Sequence, residues 1–295
     1  MKTPLLTWVT ETSPRLVFFV RAMEQISFFW SRIVEIYQQV FSMLRKNPTV
    51  FCLFFATAFF DLVALIVLYF APSPPISDVL APIIRSFWGD HYLHYPNNFL
   101  LLPRLFGHAH FLISTVFGVF MTGIIIKKIE AEILGKTIST VSAVVPVLRR
   151  YLSLVAVWLV SYGTFIVLLK GVMMFLPHNL WIQLISGFIL GLLVQSVFAF
   201  LIPAIVLIEN GFFKKLLEGF RLGIKNILLI SALIFVPTLF ALILSVARFY
   251  TPVVVQVYPE LVLWILSAGI VITLVVDVLV TSSATLLFLK VRQGK

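Results

Sequence analysis

Apolar residues in this chain run in long unbroken blocks, separated by shorter stretches in which they recur every three or four positions. A bilayer-crossing helix needs about 20 mainly apolar residues. Six blocks qualify, at about 49–71, 105–126, 151–169, 180–208, 227–247 and 261–289. The blocks at 180–208 and 261–289 are long enough to tilt or protrude. The pattern predicts an all-α integral membrane protein with six transmembrane helices, residues 49–295 forming the membrane domain and residues 1–48 an N-terminal region outside it.

The intervening stretches are amphipathic. In 32–46, Ile33, Ile36, Tyr37, Val40, Phe41 and Leu44 share one helical face, with Glu35, Gln38, Gln39 and Arg45 opposite. In 209–225 the stripe is Phe213, Leu216, Leu217, Phe220 and Ile224. Helices of this kind with basic polar faces lie naturally in the headgroup plane of an anionic leaflet. A third amphipathic run, 76–88, falls between the first two blocks.

Composition agrees. The chain is 61% apolar and 12% charged, with a mean hydropathy of +1.08, against about 45–50% and 25% in soluble domains. A net charge of +10 raises nucleic acid as a partner, but the basic residues lie in the gaps between blocks, which is the membrane-topology pattern and excludes it. Of the 22 lysines and arginines, 18 fall on one side of the predicted membrane, including Lys2, Arg15, Arg21 and Lys295. The other side has Arg85, Arg104, Lys170 and Arg248. The positive-inside rule then places both termini in the cytoplasm. Tyr69, Trp181, Tyr258 and Trp264 fall at the expected outer interface, and Tyr151 at the inner one. Residues 1–11 lack a basic patch followed by an apolar core and a cleavage site, so no removable signal peptide is expected. The single cysteine, Cys52, reads as a small buried apolar residue.

Each amphipathic stretch on the cytoplasmic side feeds an odd-numbered block. Phe41, Lys46 and Asn47 before block one recur at the same offsets as Phe220, Lys225 and Asn226 before block five, and Val145 to Tyr151 keeps the apolar start and the basic residues. We read three parallel copies of one unit: interfacial helix, span, outer loop, returning span. At each bend the apolar face anchors, and Arg45, Lys46, Arg149, Arg150, Arg221 and Lys225 reach for anionic headgroup phosphates.

The run PAIVLIENGFFKKLLEGFRLGIKN, from Pro203 to Asn226, resembles a bacterial group of six-span proteins similar to the membrane domain of glycerophosphoryl diester phosphodiesterases and related uncharacterised families. The pattern is a proline near the end of span four, an apolar run, an acidic residue, and an amphipathic helix leading into span five. Where that group usually carries Ser or Arg-Ser in the helix, this chain has Glu218-Gly219-Phe220. The resemblance implies a six-span fold in the bacterial cytoplasmic membrane and little chemistry.

Few residues are costly to place. Asp61 and Asp277 sit in the middle of blocks one and six, where a charged carboxylate costs about 2.5–3.5 kcal/mol on insertion scales, so each is expected to face protein or water. They form a candidate proton or cation site, with neutral acids hydrogen-bonded between helices as the ordinary alternative. Gln195 is the other strongly polar intramembrane candidate, and Ser161, Tyr162, Thr164 and Thr281–Thr285 are ordinary helix-to-helix bonders. Gly187 and Gly191 permit close packing of span four. Four of the five histidines cluster in the outer segment and the start of block two. Imidazoles of His91, His94, His108 and His110 suit zinc or copper, and His108 or His110 suits a haem or other pigment; interfacial residues are the alternative. No catalytic motif is present: no phosphate-binding glycine loop, His-Glu-x-x-His or Gly-x-Ser-x-Gly occurs.

Three functions remain open. The first is a non-enzymatic scaffold, lipid-contacting module or accessory subunit of a membrane complex, motivated by the interfacial helices and the lack of a legible polar pathway. The second is a transporter or permease component using Asp61 and Asp277, with Pro203 and Pro237 breaking helices around a site. The third is a metal- or cofactor-holding membrane protein using the outer histidines.

Overall fold

Where an amphipathic stripe gives way to a continuous apolar run, the chain bends. In the computed structural model, which describes residues 14–136, 138–177, 179–209 and 211–294, helix α1 (Pro14–Lys46) ends at Asn47, whose backbone leaves the helical region at φ −128°, ψ 72°. Pro48 then opens α2 (Pro48–Tyr69) at the one helical position where a missing N–H costs nothing. Lys2 and Lys295 lie outside the described residues, as do the side chains of Arg15 and Arg21.

Beyond α2 an outer segment carries the amphipathic helix α3 (Ile76–Phe87) and a 3-10 turn (Asp90–Leu93). The chain returns through α4 (Asn97–Ile113), a π-turn (Ser114–Gly118) and α5 (Val119–Ile133). Helix α6 (Thr140–Leu148) bends at Arg149 and Arg150 into α7 (Tyr151–Phe175). Span four is α8 (Leu180–Phe198) and α9 (Leu201–Leu207). Helix α10 (Phe212–Lys225) bends at Asn226 into α11 (Ile227–Phe249), and α12 (Thr251–Val257) leads to α13 (Leu261–Arg292). No strand occurs among the described residues. Six spans, at Pro48–Tyr69, Asn97–Ile133, Tyr151–Phe175, Leu180–Leu207, Ile227–Phe249 and Leu261–Arg292, are long and apolar enough to cross a bilayer. The chain is an all-α multi-pass membrane protein.

Two boundaries differ from the sequence reading. Span two starts at Asn97, not near 105, because the helix runs on through the polar Asn97 and Asn98 and through Pro103 and Arg104. Span four breaks at Ala199 and Phe200. Pro203 explains this: it has no N–H for the carbonyl of Ala199, and its ring crowds that carbonyl.

Around the bundle α2 packs on α4, α5 and α13, α13 on α11, α11 on α8, and α8 on α7; α7 closes the ring against α5 and α9. The main core sits at the basic end, the end where the described Arg45, Lys46, Arg149, Arg221 and Lys225 lie. There Val147, Leu154, Phe200, Ile205, Ile230, Leu233 and Phe288 pack with Ile33, Ile36 and Val40 of α1. Phe200 and Phe288 are fully buried, edge to face at 5.4 Å. A smaller core at the far end joins α2, α4, α12 and α13 through Leu65, Phe106, Val255 and Leu266.

The two long amphipathic helices are used differently. Helix α1 turns Ile33, Ile36, Val40 and Met43 into the bundle, so its apolar face meets protein where the sequence reading expects lipid, although Phe41 does point out. Helix α10 keeps Phe213, Leu217 and Ile224 exposed and packs through Gly219 and Gly223. A Cβ on Gly223 would lie 2.5 Å from the Val197 carbonyl oxygen, which is why glycine stands there. Cys52 is exposed on α2, contrary to the buried position expected. As a small thiol it tolerates lipid as readily as a core.

Candidate functional site: a cavity among the six spans

Prolines inside a helix free carbonyls that something else must satisfy. In α11, Pro237 cannot donate to the carbonyl of Leu233, and the hydroxyl of Tyr37 on α1 donates to that oxygen instead. At the end of α9, Arg150 donates from Nη1 to the carbonyls of Ile205 at 3.0 Å and Val206 at 2.5 Å, placing a cation on a helix C-terminus. These contacts lock the basic end. Arg150 is therefore turned into the protein, while Arg45, Lys46, Arg149, Arg221 and Lys225 are exposed at the bends.

Above this closed end lies a cavity of about 860 Å³ lined by all six spans. Its floor includes Ile125, Ile202, Pro203 and Thr285, and its lining runs along α7 to Met173 and along α8 to Gln183. Burial shows why it exists. Among the described residues α7 is buried only at Leu154 and Val157, and α8 only at Val194 and Ser196, all toward the basic end. Their other halves pack on each other, with Gly187 facing Leu169 and Met173 and Gly191 facing Phe165. Helix α7 packs on α5 but only sparsely on α4, where Phe111 meets Trp158 and Tyr162.

The structure brings the three intramembrane polar candidates to this one cavity: Asp61, Asp277 and Gln195 all line it. Asp61 is itself buried, with both carboxylate oxygens 3.0 Å from His110 Nδ1. The other ring nitrogen, Nε2, lies 3.5 Å from Ser114 Oγ. That serine opens the π-turn, an insertion that rotates span two by part of a turn and often accompanies functional positions. Asp277 has high surface exposure although it sits in mid-span, because what it faces is the cavity. The charges of Asp61 and Asp277 both act on His110. Among the described residues no side chain donates a hydrogen bond to the Asp277 carboxylate. Gln195 is likewise exposed to the cavity.

The same cavity has an aromatic wall. Trp158 and Tyr162 stack at 5.3 Å with 2° between their planes, and Phe111 meets Trp158 at 5.3 Å and Tyr162 at 4.9 Å. The sequence gives Trp158 and Tyr162 at helical i, i+4 spacing, so their shared face was legible but their role was not. His110 as the partner of Asp61 was missed for a different reason. With span two starting at 105 it stands near the mouth, whereas the observed helix places it about 20 Å along from Asn97, at 1.5 Å per residue.

The other described histidines do not join it. His108 is exposed, and two positions along a helix place it about 200° around α4 from His110. His91 is exposed and stacks on Tyr92 at 4.0 Å. His94 lies 3.4 Å from Asp90, which also accepts from Arg85 Nε at 2.6 Å. The Arg85 bond, helped by His94, holds the Asp90 carboxyl below its ordinary range. Among the described residues no three of His, Cys, Asp and Glu stand together as a metal set. Tyr95 donates to Glu260 at 3.0 Å, tying the outer segment to the start of α13, and this carboxylate pushes the phenol pKa up.

This geometry can hold and hand on a proton. A carboxylate, an imidazole and a hydroxyl in a row offer alternating donor and acceptor sites, and a second carboxylate faces the same space. No protein-family model, no curated protein and no solved structure gives a match to this chain.

Proposed function

We propose that the chain is a transporter or the membrane-spanning component of one, in which Asp61, His110 and Asp277 carry protons or cations through the central cavity. The observation that carries this reading is the convergence of Asp61, Asp277, Gln195 and His110 on one cavity that ends at the packed core of the basic end. The scaffold reading rests on the lack of a polar pathway, and a cavity with these four groups supplies the groundwork of one. Intramembrane ionisable residues facing a cavity are the usual marks of ion and proton paths. The exposed apolar face of α10 favours a subsidiary role in holding this end of the bundle at an anionic membrane surface.

In this reading the basic end faces the cytoplasm with both termini, and the membrane is the bacterial cytoplasmic one. The recurring order of amphipathic helix, span and returning span then reflects three parallel repeats, in line with the resemblance to the six-span phosphodiesterase membrane domains.

Reconstitution into vesicles holding a pH-sensitive dye, under an imposed gradient of protons or of a monovalent cation, tests this. The wild-type chain is expected to pass flux above protein-free vesicles, and Asp61→Asn and Asp277→Asn to reduce it at least tenfold. Flux no greater than in empty vesicles, or unchanged in both variants, overturns the proposal.

A further inference from the structure

The walls of the cavity also point to what it accepts. No Lys or Arg is among the described residues that line it, whereas two aspartates are. One of these, Asp61, is occupied by His110. Asp277 keeps an acceptor facing the open space with no described side chain bonded to it. Away from these groups the lining is mainly apolar and aromatic, with the Phe111, Trp158 and Tyr162 rings packed as one block.

A proton or small ion can pass along the carboxylates and His110, but it leaves the apolar and aromatic remainder of the lining unused. An anion finds two carboxylates and, for positive charge in the lining, only His110, which Asp61 already holds. A neutral apolar molecule leaves Asp277 desolvated and unpaired, which is costly in a low-dielectric space. A flat or bulky organic cation meets both requirements: its charge faces a carboxylate and the quadrupole of aromatic rings, and its hydrocarbon covers the rest. The volume of about 860 Å³ is within the range of about 300–1,000 Å³ typical of sites for drug-sized ligands.

We propose that the cargo of this cavity is an apolar organic cation, held by Asp277 and the Trp158–Tyr162 wall. This rests on the transporter reading for its biological meaning but on the lining alone for binding. Toward the basic end the cavity stops at Ile202 and Pro203, beside the buried Phe200–Phe288 pair, so the cation is held above that core.

Two probes of nearly equal shape and opposite charge test it on the whole chain in detergent. Tetraphenylphosphonium and tetraphenylborate are titrated by calorimetry, with protein-free micelles as blank. The cation is expected to bind at least tenfold more tightly than the anion. Asp277→Asn is expected to weaken the cation at least tenfold and the anion little, and Trp158→Ala to weaken the cation about five- to tenfold. Equal affinity for the two probes in the wild-type chain overturns the proposal without any variant having to fold. So does an affinity for the cation that Asp277→Asn leaves unchanged, or a phospholipid seen by native mass spectrometry that the probe fails to displace. Binding without vesicle flux would defeat the transporter reading alone, and flux without binding would defeat this one alone.

Discussion

The two ends of the bundle are built from the same kinds of residue and packed to opposite effect. At the basic end, Phe200, Phe288, Ile205 and Leu233 are buried, α1 adds a further layer, and glycines bring α10 against the backbone of α8. At the far end, spans three and four bury nothing along their outer halves and hold mainly to each other. In lipid this costs little. A side chain facing acyl tails is as well solvated as one facing other side chains, so packing rather than burial decides where a bundle closes. The lesson is that a six-span chain can keep a large cavity without loss of stability, provided one end is closed by tight contacts.

That contrast can be broken at its closed end. Phe200→Ala removes half of the edge-to-face pair beneath the cavity and is expected to have the largest effect. The loss falls toward the low end of the about 3–5 kcal/mol for truncating a packed Phe, because lipid replaces water as the reference medium. Thermal unfolding in detergent measures it, and vesicles with the variant are expected to leak. Gly223→Ala comes next, at about 1–3 kcal/mol, because the new Cβ runs into a backbone carbonyl that cannot rotate away. Tyr37→Phe is expected to cost about 1 kcal/mol by leaving the Leu233 carbonyl unpaired. Burial pushes the Tyr37 phenol up from 10.0 to about 12. The folded form thus keeps its proton after the unfolded chain has released it. This contribution to stability is intact below pH 10 and is lost as pH rises to about 12, which an absorbance titration of wild type against Tyr37→Phe detects. Smallest of all is Gly187→Ala in the open half, where the Cβ meets Leu169 at an ordinary 3.5 Å; a melting temperature close to that of wild type is expected. Should Gly187→Ala prove as harmful as Gly223→Ala, the contrast between the ends falls.

Much of this was legible in the sequence. Spans are set by length and hydropathy, and these are one-dimensional quantities, so all six were found; the stripes at 32–46 and 76–88 likewise gave α3 and the last turns of α1. What an amphipathic face meets is not one-dimensional. The stripes of α1 and α10 read alike, yet Val40 is buried and Leu217 exposed. The clue lay on the other side of α10, where Gly219 and Gly223 offered a surface smooth enough for close approach. The candidate site was legible as single residues: Asp61, Asp277 and Gln195 are costly wherever they stand, and the structure gathers them. The pairing of Asp61 with His110 was not, since Pro103 and Arg104 interrupt the apolar pattern without ending the helix.

The hydroxyl that Tyr37 lends to span five has one more consequence. A proline leaves a helix weakest at the turn before it, and here that turn is pinned by a helix that is not one of the six spans. Flexing span five means unfastening the pin. Any such stroke is therefore felt in α1, and whatever grips α1 acts as a brake on the helix within.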